Sequence, residues 1–177
     1  MSTTFALRKK LIDIARRDVG KVETSRNQAP WIKKLWTATT YPTGYEERQP
    51  YCAAGVCYCI REWLKDKDVL KAFGFTELQA ERWRVKYASV YLAPGGNNVL
   101  DWAKTRNLQI LNKNDNFHAG DLIIYEKSHI EIYVDDVGKL ITCVGYNTNA
   151  AGSRDGEGCF EKDRSRSGIK CAIRLLE

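Results

Sequence analysis

A thiol where a helix begins and a histidine where a strand begins form the chemical centre of this sequence. Gln49-Pro50-Tyr51-Cys52-Ala53-Ala54-Gly55-Val56 runs from a turn into an apolar helical pattern, which puts Cys52 in the first helical turn. Backbone N–H groups there have no intrahelical partner, and the helix dipole favours negative charge. A free thiol titrates at about 8.5, and a helix N-terminus lowers that value and enlarges the thiolate fraction. The chemistry open to such a thiolate is attack on a carbonyl, provided a neighbouring base takes its proton and later protonates the leaving group.

The chain has only two histidines, so the base is one of His118 and His129. His129 opens a strand pattern in which Ile130, Ile132 and Val134 form one face and His129, Glu131 and Tyr133 the other. A polar-face histidine at a strand start can meet a helix N-terminus packed on the sheet, although strand histidines also serve structural roles. His118 precedes a turn, Ala119-Gly120-Asp121, and reads as solvated. A third group should orient the imidazole. Asn147 is the candidate, just past the next strand, although asparagines there also form turns. Glu131 is the rival orienter; same-face neighbours on a strand lie about 7 Å apart, a long but workable reach.

Cys57 and Cys59 fall beyond the first helical turn, where the dipole effect has faded, and read as core cysteines. The spacing of Cys52, Cys57 and Cys59 lacks the C-x₂-C of structural zinc sites, and there is no H-E-x-x-H, so neither a metal nor a cofactor is expected. Cys159 and Cys171 flank a Gly/Ser/charge-rich stretch, which would suit a bridge in an oxidising compartment.

The elements that must carry these residues follow from periodicity. Leu7, Leu11, Ile14, Ala15 and Val19 mark an amphipathic first helix, with Thr3 or Thr4 as cap and Gly20 as stop. A short helix follows Asn27, with Pro30 early in it and Trp31, Ile32, Leu35 and Trp36 packing; residues 37–50 read as a loop. The third helix runs from about Tyr51 to Lys65. Residues 66–98 read as one or two helices and a loop, with Trp83, Tyr87, Tyr91 and Pro94-Gly95-Gly96-Asn97-Asn98, a lid or wall inserted into the domain. Val99, Trp102 and Ala103 suggest one more short helix. Beyond Gly120-Asp121 the period becomes two. Leu122–Tyr125, His129–Val134, Lys139–Val144 and Ile169–Leu175 read as strands, with a turn at Asp136-Val137-Gly138. Helices followed by an antiparallel sheet make an α+β fold in a single domain, residues 1–177.

Composition sets the class. A chain of 177 residues, 44% hydrophobic and 28% charged, can bury a real core. Its apolar runs are far short of the about 20 residues that span a bilayer, and its N-terminus lacks a basic-then-apolar signal pattern. No membrane insertion is expected. The net charge of +6 sits entirely in residues 1–34, with nine Lys/Arg against three acids. That excess is either a solvated helix face or an attraction to an anionic polymer such as nucleic acid, lipid or cell wall.

The order of these segments resembles the CHAP family (cysteine, histidine-dependent amidohydrolase/peptidase) and its NlpC-type relatives, papain-like enzymes that cut peptidoglycan. Val19-Gly20-Lys21-Val22-Glu23 with Asn27 resembles the family's opening Gly…Glu…Asn segment. Tyr51-Cys52-Ala53-Ala54-Gly55-Val56 resembles the nucleophile motif Trp-Cys-Ala-Ala-Phe-Val, and Ala119-Gly120-Asp121-Leu122-Ile123-Ile124-Tyr125 the Pro-Gly-Asp before a strand. Ser128-His129-Ile130-Glu131-Ile132-Tyr133-Val134 resembles Gly-His-Val-Gly-hydrophobic-Tyr-Val, and Gly145-Tyr146-Asn147 resembles Gly-Gly-Asn. Tyr51 stands for Trp, Glu131 for a small residue, and residues 66–98 exceed the family's usual connection.

The resemblance implies a papain-like fold, with the nucleophile helix packed on a small antiparallel sheet. It implies Cys52 as nucleophile, His129 as base and Asn147 as orienter, with the Cys52 N–H in an oxyanion hole and Gln49 or Tyr51 as further donors. The substrate would be peptidoglycan, cut in the stem peptide or at its junction with muramic acid, by a phage lysin or an injected antibacterial effector with an immunity or inhibitor protein as partner. Made in the cytoplasm without a signal peptide, it would act in the periplasm or cell wall, without a separate wall-binding domain and without nucleic acid as partner. Two alternatives stand beside it: a non-catalytic basic module binding nucleic acid or glycan, and a papain-like protease or deamidase acting on protein.

Overall fold

A computed structural model describes residues 3–81, 83, 98–149 and 156–177. Among the described residues, six α-helices precede and flank a six-stranded antiparallel sheet. The helices are α1 (Thr3–Arg16), α2 (Pro30–Lys33), α3 (Cys52–Trp63), α4 (Lys67–Phe73), α5 (Glu77–Glu81) and α6 (Val99–Thr105). The strands are β1 (Gln109–Leu111), β2 (Leu122–Tyr125), β3 (His129–Val137), β4 (Leu140–Thr148), β5 (Gly158–Ser165) and β6 (Ile169–Arg174), in spatial order β1-β6-β2-β3-β4-β5. The α+β expectation holds at this level.

Helix α3 is apolar on nearly every side because it is central. Ala53, Ala54, Gly55, Val56, Cys57, Cys59, Ile60 and Trp63 are all buried, as expected for a helix enclosed by other layers. It packs on α1, on β3 and β4, and on the 3₁₀ turn Lys34–Ala38 that continues α2. Trp63 donates its indole N–H to the carbonyl of Leu7 at 2.8 Å, which fastens α3 to α1. A Cβ at Gly55 would collide with the Tyr146 ring, so the missing side chain lets α3 lie against β4. Ile130, Ile132, Val144, Tyr146 and Ile173 meet the helices in the main core, while Ile123, Tyr133, Cys143 and Ala172 form a second core on the opposite face of the sheet. This is the period-two alternation of a sheet buried on both faces.

Several boundaries differ from the sequence reading. Helix α1 ends at Arg16; Arg17, Asp18 and Val19 donate to Ile14, Ala15 and Arg16 in a tighter i→i+3 turn before Gly20, whose φ is 86°. Two strands were not expected. β1 has three residues, and β5 reads Gly-Cys-Phe-Glu-Lys-Asp-Arg-Ser, an edge strand with too few apolar positions to alternate visibly. Between 66 and 98, α4 starts on an Asp66 cap and stops at Gly74, with φ 70°, and α5 follows; Asn98 caps α6. The remainder of the expected lid, including Tyr87, Tyr91 and Pro94-Gly95-Gly96-Asn97, lies outside the described residues.

The suggested Cys159–Cys171 bridge does not form, and both thiols are free. Cys159 is on β5 and Cys171 on β6, with β4, β3 and β2 between them. Four inter-strand steps amount to roughly 19 Å, several times the reach of a disulfide.

Candidate functional site

Cys52 is the first residue of α3, and Tyr51 immediately before it is anchored from below. The Tyr51 hydroxyl is wholly buried and donates to Glu23 at 2.9 Å. The other Glu23 oxygen accepts from the Asn27 backbone N–H at 2.6 Å, and the Asn27 side chain donates to the Arg48 carbonyl at 2.7 Å. Trp31 sits edge-on to the Tyr51 ring with centroids 5.7 Å apart. These contacts make Tyr51 a support for the helix start, with its hydroxyl donated to Glu23. Gln49 is exposed, and its backbone N–H is bonded to Gly44.

His129 enters from the β2–β3 hairpin. Tyr125 and His129 are register partners, and Ser128 closes the turn with a φ of 58°, a region that favours glycine. Cys52 and the imidazole are close enough to shift each other's titration, and the thiol also faces the backbone N–H groups of Ala53 and Ile130. Burial alone would raise the thiol pKa, but the neighbouring His129 and its charge, with those two N–H groups, outweigh it and hold Cys52 below its ordinary value. Burial alone would lower His129, but the contacts to Cys52 and Glu131 outweigh it and raise the imidazole to about 9. Both shifts run in the direction that favours thiolate and imidazolium over the neutral pair, and the two groups titrate together. Cys57 carries no such compensation and burial pushes it up; Cys59 is pushed up to about 12.

Glu131, the rival, occupies the place expected for Asn147. His129 Nε2 bonds Glu131 Oε1 at 3.0 Å, and Nδ1 is buried with no hydrogen-bond partner among the described residues. The two side chains project from the same face of β3 and lean together, so their polar atoms meet although their Cα atoms are two residues apart. Glu131 is wholly buried. The Tyr125 hydroxyl donates to its Oε2 at 3.0 Å, Arg164 Nε donates to Oε2 at 2.9 Å, and Arg164 Nη2 donates to Oε1. Burial would raise this carboxyl, but His129 and then Arg164 hold it below the usual carboxylate range. Space for it comes from Gly145, its register partner on β4, where a Cβ would strike the carboxylate. Asn147 is buried elsewhere: its φ is 53°, where β4 has already lost regular register with β5, and its backbone faces the Tyr51 hydroxyl. Arg164 was not singled out in the sequence, because β5 carries three other charged residues with equal claim.

His118 is exposed and faces Arg8 at 3.1 Å, remote in role from Cys52. A cavity of about 440 Å³ lies at the far end of α3, lined by Arg61, Leu64, Lys67, Leu70 and Glu77, and it includes neither Cys52 nor His129. Six of the nine cations in the basic N-terminal segment pair with carboxylates. Lys9 pairs with Asp13, Lys10 with Asp66, Arg16 with Glu161, Lys33 with Glu46, and both Lys21 and Lys34 with the buried Asp18. Among the described residues no helix is long and apolar enough to cross a membrane.

A thiolate beside an imidazolium, with a carboxylate on the far ring nitrogen, can open an acyl carbon and protonate what leaves. Comparisons with protein-family models, curated protein sequences and solved structures found no match for this chain, so the reading of the site rests on its geometry.

Proposed function

We propose that the chain is a papain-like cysteine amidase of the CHAP type acting on peptidoglycan, with Cys52 as nucleophile, His129 as acid and base, and Glu131 as the group that orients His129. The observation carrying this reading is the Cys52 thiol at the N-terminus of α3, beside a histidine whose Nε2 is held 3.0 Å from a buried carboxylate. The Cys52 thiolate attacks an amide carbonyl in the stem peptide or at its junction with muramic acid. The oxyanion that forms draws on the Cys52 backbone N–H at the helix start. Imidazolium protonates the departing amine, and the neutral ring then activates the water that splits the thioester.

The substrate class comes from the segments that resemble the family. Ser128 supports that likeness, since it holds the left-handed backbone where the family's motif has glycine before the histidine. A basic module binding an anionic polymer has less support, because six of the nine N-terminal cations already pair with carboxylates. The test is digestion of purified peptidoglycan by wild type and Cys52→Ala, with products read by mass spectrometry. Cleavage by the wild type alone is expected, and the product masses name the bond. No cleavage by wild type, or equal cleavage by both, would sink the proposal.

A further inference from the structure

We propose that Arg164 is the positioning residue that makes a carboxylate usable beside the Cys52–His129 pair, by supplying the cation that keeps the buried site electrically balanced. The inference rests on Cys52 being the nucleophile. An amide orienter such as asparagine or glutamine is neutral, so a thiolate–imidazolium pair beside it carries no net charge. Glu131 changes that sum. With the thiolate formed, Cys52, His129 and Glu131 together carry one net negative charge, and Glu131 is wholly buried. An uncompensated buried charge is expensive, and the cheapest relief is to leave the proton on the thiol.

Arg164 removes the imbalance. Its side chain is 10% exposed and grips Glu131 through Nε and Nη2 in the two-pronged geometry that a lysine cannot reproduce. Nη2 also donates to Thr148 Oγ1 at 2.8 Å, which ties the guanidinium to β4. Glu131 then has four donors on its two oxygens: His129 and Arg164 on Oε1, Tyr125 and Arg164 on Oε2. A carboxylate offers about four lone-pair directions, so no site is left for a proton. The other titratable groups facing Glu131 are Tyr125 on β2, Cys143 on β4 and Cys159 on β5, and burial holds all three in their neutral forms. Arg164 is therefore the only cation besides His129 among the described groups that contact this carboxylate.

The test is alkylation of Cys52 by iodoacetamide against pH, read by mass spectrometry in the whole protein. Arg164→Met should move the labelling midpoint up by about one pH unit or more, a tenfold loss of thiolate at a fixed pH below it. Glu131→Gln, which leaves the arginine and removes the carboxylate charge, should move it below wild type. Glu131→Gln/Arg164→Met restores a neutral sum and should return close to wild type. A packing role for Arg164 predicts no such rescue. Wild-type labelling by Arg164→Met, or a double variant as unreactive as Arg164→Met, overturns the inference. If Arg164→Met does not fold, Glu131→Gln against the double variant decides, and a midpoint no lower in Glu131→Gln overturns it. A wild-type Cys52 that labels only at the ordinary pH of a free thiol defeats the nucleophile reading itself, and that outcome is visible before any variant is made.

Discussion

Gly145→Ala tests whether the carboxylate of Glu131 is as immobile as its contacts require. Gly145 and Glu131 are register partners on β4 and β3, and a Cβ at 145 would press on the Oε1, Cδ and Cγ atoms of Glu131. A free glutamate would swing aside at little cost. This one is held by His129, Tyr125 and two nitrogens of Arg164. Displacing it gives up hydrogen bonds involving charged groups, about 1.5–3 kcal/mol each. Keeping it and straining the strands instead costs about 1–3 kcal/mol, so overpacking is the cheaper route and sets the scale. Alanine in a strand recovers about 0.5–1 kcal/mol of backbone entropy, leaving a net loss of about 0.5–2 kcal/mol. That is a sizeable part of the about 5–15 kcal/mol that holds a domain together. Urea denaturation should show a lower midpoint with an unchanged slope. The decisive comparison is the same substitution in a Glu131→Ala/Arg164→Met background, which removes the carboxylate and its cation together. There the clash is gone, only the entropy gain remains, and Gly145→Ala should stabilise by about 0.5–1 kcal/mol. An equal loss in both backgrounds would refute the argument that Glu131 is what Gly145 accommodates.

The remaining predictions concern protons and thiols. Raised His129 contributes stability that is lost as pH climbs from the ordinary histidine value of about 6.5 to about 9, and lowered Cys52 contributes stability that is gained as pH climbs from its lowered value to the ordinary thiol value; the two slopes oppose each other, so stability from this pair should show a near-plateau where both run and no further change above about 9. Denaturation against pH checks this, and Cys52→Ala should replace the plateau with a decline beginning at the ordinary histidine value if His129 remains raised by Glu131. Cys57 and Cys59, wholly buried and pushed up with Cys59 at about 12, should stay unlabelled in native protein at neutral pH while Cys52 reacts; labelling of all three together would remove the helix-start argument.

The parts of the site written in local patterns were legible in the sequence. Cys52 follows a loop and opens an apolar run, and His129 opens an alternating strand; both are statements about a residue and its immediate neighbours. The partner of His129 Nε2 was not legible because it is decided across the chain. Asn147 and Glu131 are both near a strand bearing His129, and what separates them is the β3–β4 register, which places Gly145 opposite Glu131 and opens space for it. Arg164 lies 33 residues from Glu131 on a strand with no apolar rhythm, so neither its strand nor its side-chain direction could be read. The same reason hid β1, whose three residues give alternation nothing to act on.

The strand that delivers Arg164 is also an edge of the sheet, and its outer side governs whether copies of this chain can stick together. An open edge offers unpaired N–H and C=O groups to any passing strand. The segment after α1 covers one end of β5: Gly20 N–H bonds Cys159 O at 2.9 Å, Cys159 N–H bonds Lys21 O at 3.0 Å, and Val22 bridges Gly158. The other end carries Glu161, Lys162, Asp163 and Arg164 in sequence, with Arg16 clamped on Glu161. A second chain docking there would have to strip water from successive charges. The opposite edge, β1, ends after three residues. Both margins of the sheet therefore resist templated growth, and the basic segment near the N-terminus contributes to colloidal solubility by guarding one of them.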